Sequence, residues 1–310
     1  MEIVLSLNKK ERLYDYIDMG INRFVIGGDY SSVCPYCFSL EEIKEIKDKY
    51  NQIFIYVSID GLYDQKYMQD IESYIDSLDS IGVQGIIFQD FGVLQIVKEK
   101  GYTLDMMYSP ETLNTNGQTL KVLNKQGVTS AFVSKVIPLE EQMLMKQDID
   151  MPLMFQCHGV EYIAASKRNL LSNYRDASSL SFDIEKQDSL TIKAKDSDYE
   201  FHIFEDKWGT HIFSKSRLYA LDLINHLSCF DYLYIETLMM NEEEAIEIAS
   251  LYSDALKSYD NHTYDKDIKS YMNLLYQLNT PLDRGFLFDQ TVYKLEDMRK
   301  IDNEKRESNH

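Results

Sequence analysis

The stretch RFVIGGDYSSVCPYCFSLEEIKEIKDKYNQIFIYVS, residues 23–58, sets the pattern on which the fold is read. RFVIG (23–27) and IFIYVS (53–58) are β-branched and aromatic runs of strand length, the side chains that fit a pleated, half-buried surface. Between them FSLEEIKEIKDKY reads as a helix. Ser39 is placed to cap it, Glu42 follows three residues later as the reciprocal cap, and Leu40, Ile43 and Ile46 fall on one face. Strand, helix and strand in that order make a parallel βαβ unit.

The same alternation runs outward in both directions. EIVLS (2–6), GIIFQD (85–90), LDMMYS (104–109), SAFVSK (130–135), MPLMFQCHG (151–159) and YLYIE (232–236) are the other strand candidates, which brings the count to eight. An open doubly wound sheet would show much the same local pattern, but eight units favour an α/β fold closed as a (β/α)8 TIM-like barrel. One interval breaks the rhythm: LSFDI, LTIKAK and YEFHIF, within residues 174–215, alternate like antiparallel strands. The expected organisation is a barrel over residues 1–260, a small β-rich insertion at 174–215 before the last strand, a C-terminal extension at 261–299 and a disordered tail at 300–310. The tail, KIDNEKRESNH, has too few apolar residues to bury.

With 310 residues, 44% of them hydrophobic, the chain can bury a large core. Its 51 acidic against 32 basic residues give a net charge of -19, a field that repels a phosphate backbone and disfavours tight RNA binding by the chain alone. No apolar run approaches the ~20 residues of a membrane-spanning helix. MEIVLSLNKKER places its basic residues after the apolar ones, the reverse of a signal peptide. Cys34, Cys37, Cys157 and Cys229 therefore read as reduced thiols and the expected compartment is the cytoplasm.

Barrels of this type carry their working residues at the C-terminal ends of the strands. Here those ends offer Ser6, Gly27 and Gly28, Ser58 with Asp60, Gln89 with Asp90, Ser109 with Glu111 and Thr112, Ser134 with Lys135, His158, and Glu236. His158, Glu111 and Glu236 are the catalytic candidates, and Lys135 and Asp90 are ligand-binding candidates. Residues of these types also cap helices and satisfy loop backbone, so the constellation carries more than any member. Cys34 and Cys37 form CPYC after the second strand, a redox pair or half a metal site by spacing. No second Cys or Cys/His pair accompanies it, so inert thiols and no metal site are expected. Neither HExxH nor GxSxG occurs.

FQCHGVEYIAASKRNLLSNY (155–174) resembles the signature of the collagenase-like peptidases, peptidase family U32, at His158, Gly159, Ser166, Arg168, Leu170, Leu171, Ser172, Asn173 and Tyr174. GIIFQDFGVL (85–94), FEDKWGTHIFSKSRLYALD (204–222), YIETLMMNEE (234–243) and RGFLFDQTVY (284–293) are similar to further family segments, in the family's order. The resemblance implies a barrel-like domain. It also implies a role among proteins that hydroxylate tRNA wobble uridine, the ubiquinone ring or rRNA cytidine by means of a four-cysteine iron–sulfur site. At three ligand positions this chain has Tyr162, Asn169 and Tyr219. Phenols and an amide do not replace soft thiolates, so no cluster is expected.

The ASKRNLLSNY segment resembles a short, cysteine-poor branch associated with prephenate-dependent tRNA uridine 5-hydroxylation. It implies a cluster-less accessory or ligand-binding component that works with a longer, cysteine-complete paralogue and reaches tRNA indirectly. Prephenate is then a possible ligand, and Arg168, Lys135 and Asn173 are the residues expected to bind it, Arg168 offering a bidentate fork for a carboxylate. A collagenase-like peptidase and a structural partner subunit are the alternative roles.

Overall fold

A computed structural model of the chain describes residues 1–110, 114–178, 180–184, 190–193, 195 and 199–289. Its strands are, in chain order, β1 (Glu2–Ser6), β2 (Arg23–Ile26), β3 (Phe54–Ile59), β4 (Gly85–Phe88), β5 (Asp105–Tyr108), β6 (Ser130–Phe132), β7 (Leu153–Ser166), β8 (Thr191–Lys193), β9 (Glu200–Asp206), β10 (Gly209–Tyr219), β11 (Tyr232–Ile235) and β12 (Leu282–Asp283). The helices are α1 (Leu13–Asp18), α2 (Leu40–Lys49), α3 (Met68–Ile81), α4 (Phe91–Lys100), α5 (Gly117–Lys125), α6 (Leu139–Gln147), α7 (Leu170–Ser178), α8 (Ile224–Leu227), α9 (Glu242–Asp260) and α10 (Tyr264–Gln277).

β1 to β7 pair in sequence, all parallel, and β11 closes the ring by pairing with both β7 and β1. The result is a closed eight-stranded (β/α)8 barrel of the TIM type. Each of the eight strand segments singled out from the sequence carries one barrel strand. Local chemistry sets the crossovers: Ser39 and Glu42 form the reciprocal cap of α2, which buries Ile43 and Ile46. Asp90 caps α4 by accepting from the Gly92 amide.

Strand alternation divides the core into two layers. One residue from each barrel strand fills the barrel's interior: Val4, Val25, Tyr56, Ile87, Met107, Phe132, Met154 and Tyr234. Their neighbours along the strands, such as Leu5, Ile26, Val57 and Ile235, pack outward under the helices. Each such side chain, fully buried, is worth about 1.5–3 kcal/mol.

β7 does not stop at the barrel. It runs on to Ser166, and from His158 onward it pairs antiparallel with β10, which pairs with β9, which pairs with β8. LTIKAK and YEFHIF carry β8 and β9, but LSFDI (180–184) is not a strand. Its Leu180 is exposed, and its Phe182 packs beside Tyr174 of α7 instead of joining a sheet. The start of the expected β-rich interval, residues 174–178, is instead the end of helix α7. The departure of β7 turns on Gly159, at φ +107, where a Cβ would stand 2.1 Å from the carbonyl oxygen of Glu236. Only glycine allows that approach.

The chain after the barrel packs back onto this layer. β12 pairs with β10 at Arg217 and Leu218, and Arg284 holds Asp222 through two hydrogen bonds of 2.7 and 2.6 Å while lying over the Tyr219 ring. The expected disordered tail, with residues 290–299 of the extension, lies outside the described residues.

Candidate ligand cavity beneath a β-layer

Two residues beyond the interior apolar ring, by the period of a strand, come Ser6, Gly27, Ser58, Gln89, Ser109, Ser134, Gln156 and Glu236. The barrel is dry in its middle and polar at its C-terminal mouth. There a cavity of about 90 Å³ is lined by Val25, Ile87, Phe132 and Tyr234 from the interior ring, by Ser58, Gln89, Ser109 and Glu236 above them, and by Asp60 and Lys135 from the loops. Val160, Tyr162 and Phe213, from β7 and β10, line it as well. The β-layer thus covers the mouth.

The cover is fastened at two places. Val160, Phe204 and Phe213 pack with Leu238, which follows β11. At the turn between β9 and β10 the indole of Trp208 is packed among Tyr30, Tyr63 and Tyr67, with centroid separations of 5.8, 4.9 and 5.2 Å. Lys207 donates to the carbonyl of Asp29 beside it.

Three donors converge on the Glu236 carboxylate, the Ser6 hydroxyl, the Tyr234 phenol and the Leu238 amide, each at 2.8 Å. Asp60 accepts from the Ser32 amide at 2.8 Å, and burial pushes its carboxyl above the usual range. Gln89 donates to the Asp60 carbonyl. With Lys135 on the same wall, the cavity presents one ammonium, two carboxyl groups and several hydroxyls.

Of the residues singled out from the sequence, Ser58, Asp60, Gln89, Ser109, Lys135 and Glu236 line this cavity together. Asp90 is engaged as the α4 cap, beside the wall residue Gln89. His158 is elsewhere. In the β7–β11 pairing Tyr234 faces Gln156 but Ile235 faces His158, so Cys157 is an extra residue. That bulge sets His158 beside the outward-facing Ile235, against Tyr252 of α9 with 5.6 Å between ring centroids. Burial first, then the Arg217 charge, push its pKa down to about 3, and its Nε2 has no hydrogen-bond partner. Arg168 and Asn173 are exposed and do not line the cavity. Glu111 lies outside the described residues.

The segments that carry the resemblance hold each other. Glu205 accepts from the amides of Leu171 and Ser172, at 2.8 and 3.2 Å, which caps the first turn of α7. Thr210 donates to the Arg168 carbonyl at 2.8 Å and accepts from the Leu170 amide at 2.9 Å. A third contact had no counterpart in the sequence reading: the Tyr162 phenol lies 2.6 Å from Nδ1 of His211, whose Nε2 lies 3.0 Å from Asp206. The pairing of Tyr162 with Phe213 across β7 and β10 is what creates it.

The three cluster-ligand positions do not fit a thiolate-bound iron–sulfur centre. Tyr162 is committed to His211, Asn169 is exposed, and Tyr219 packs against Arg284 and Tyr276. Cys157 is buried with its thiol on the Tyr234 carbonyl, and the Cys34 and Cys37 sulfurs are paired at 3.0 Å in the loop after β2. Among the described residues no group of three or more His, Cys, Asp or Glu is arranged to hold a metal ion, and no helix is long and apolar enough to cross a membrane.

The chain is similar in sequence to proteins already known. "tRNA hydroxylation protein P2" of Bacillus subtilis (strain 168) is 24% identical over 305 residues, covering 94% of this chain and 99% of that protein. "tRNA hydroxylation protein P1" of the same organism is 24% identical over 181 residues, covering 57% of this chain and 43% of P1. A solved structure of a U32 peptidase shares 13% identity with a TM-score of 0.47 over 76% of this chain and 92% of that one. The description Peptidase family U32 matches residues 8–297, and the chain belongs to that family.

Proposed function

We propose that this chain is a component of tRNA wobble-uridine 5-hydroxylation that binds a small hydroxylated carboxylic acid in the mouth cavity, without an iron–sulfur cluster of its own. The end-to-end similarity to tRNA hydroxylation protein P2 carries this reading. The cavity supports it chemically. Lys135 offers a cation to a ligand carboxylate, while Asp60 and Glu236 accept from a ligand hydroxyl. Prephenate, with carboxylates and a hydroxyl, is the first probe.

The net charge of -19 opposes direct capture of tRNA. The chain therefore works beside a longer, cysteine-bearing family member that meets the RNA, as the existence of separate P1 and P2 proteins suggests. Calorimetric titration of the full chain with prephenate should show saturable binding that Lys135→Met weakens at least tenfold. Affinity purification from the native host should retain the longer relative. Absence of both binding and copurification would overturn the proposal.

A further inference from the structure

We propose that Tyr162, His211 and Asp206 form a proton relay that opens onto the mouth cavity through the Tyr162 phenol and exchanges a proton with the ligand bound there. The inference rests on the cavity being a ligand site, and adds to it an acid–base function within the β-layer itself.

The geometry is that of a base held by an orienting carboxylate. One Asp206 oxygen accepts from the Trp208 amide at 2.7 Å and the Gly209 amide at 3.1 Å in the β9–β10 turn. The same oxygen stands 3.0 Å from His211 Nε2. An acceptor so fixed places the imidazole proton on Nε2 and leaves Nδ1 with its lone pair toward the Tyr162 hydroxyl at 2.6 Å. His211 and Asp206 do not line the cavity, while Tyr162 does. His211 is buried, at 3% exposure, away from competing water.

The proton balance closes within this set. An acidic hydrogen of the ligand passes to the Tyr162 oxygen as the phenolic proton passes to Nδ1 of His211. The ligand gains one further negative charge near Lys135, and the imidazolium is balanced by Asp206. Run in reverse, the relay delivers a proton. No electron changes hands, so no oxidant or reductant is required.

The test uses three full-length proteins: wild type, Tyr162→Phe and His211→Gln. Glutamine can still accept from Tyr162 and donate to Asp206, so it preserves a structural bridge, but it cannot take up a proton. In a strain lacking the chain, wild type should restore tRNA 5-hydroxyuridine. Both variants should fall short by on the order of a hundredfold at equal protein level and unchanged melting temperature. Full restoration by either variant overturns the relay. Should wild type itself fail to restore the nucleoside, the reading of the cavity's pathway falls, and histidine nitrogen NMR of the purified protein decides the relay separately. Tyr162→Phe should shift the His211 Nδ1 resonance and leave Nε2–H in place, and an unchanged Nδ1 overturns it.

Discussion

The indole of Trp208 meets the ring of Tyr63 edge-on, with centroids 4.9 Å apart and planes at 90°. This contact ties the far turn of the β-layer to the loop after β3, and so holds the cover of the cavity to the barrel that forms its floor. Trp208 is the chain's single tryptophan and is 4% exposed. Trp208→Ala should cost about 3–5 kcal/mol, and Trp208→Phe less, measured by chemical denaturation. In the wild type, probe binding beneath the layer should change the tryptophan emission; a cavity ligand that leaves it unchanged would argue against a coupled cover.

Glu161, next to the cavity-lining Val160 and Tyr162, is buried, and burial pushes its carboxyl up from 4.5 to about 7. The folded chain then holds a proton that the unfolded chain has released between those values. Stability is therefore greatest below the unfolded value and falls as pH rises through about 7, by about 3 kcal/mol from this group. Glu161→Gln should remove that slope, so that the difference in unfolding free energy between variant and wild type grows from pH 4.5 to 7 in the variant's favour. A pH-independent difference contradicts the assignment.

The sequence of CPYC suggested inert thiols, and the two sulfurs prove to be adjacent and unequal. The hydrogen bond between them pushes the Cys34 thiol up and the exposed Cys37 thiol down. At neutral pH iodoacetamide should modify Cys37 first, read by peptide mass mapping, because the thiolate is the reacting form. Cys157, pushed up by burial, should be the slowest. Initial labelling at Cys34 would contradict this ordering.

Glu205 caps the first turn of α7 from a strand 34 residues away in sequence. Glu205→Ala should cost about 1–2 kcal/mol and raise hydrogen exchange at the amides of Leu171 and Ser172, with the barrel strands unaffected. Unchanged exchange there would show that the cap is not what orders this turn.

The barrel was legible because each of its strands is a compact apolar run with the two-residue period of a strand, and the polar ring at its mouth is two steps further along the same period. Ser58, Gln89, Ser109 and Glu236 lie on that period, while Lys135 is one residue off it, in the loop after β6. His158 was not placed correctly, because a bulge at Cys157 reverses the face and periodicity carries no sign of it. YIAAS (162–166) is weak as a strand by composition and is ordered by its pairing with β10, so the β-layer's extent was hidden. Tyr162 and His211, 49 residues apart, meet only through that pairing.

Mass spectrometry of nucleosides from tRNA is the most direct measurement of the central claim. In the native host, deletion of this chain should remove a large part of wobble 5-hydroxyuridine, and re-expression of the wild-type chain should restore it. A deletion strain whose 5-hydroxyuridine content equals that of its parent would contradict a role in tRNA hydroxylation.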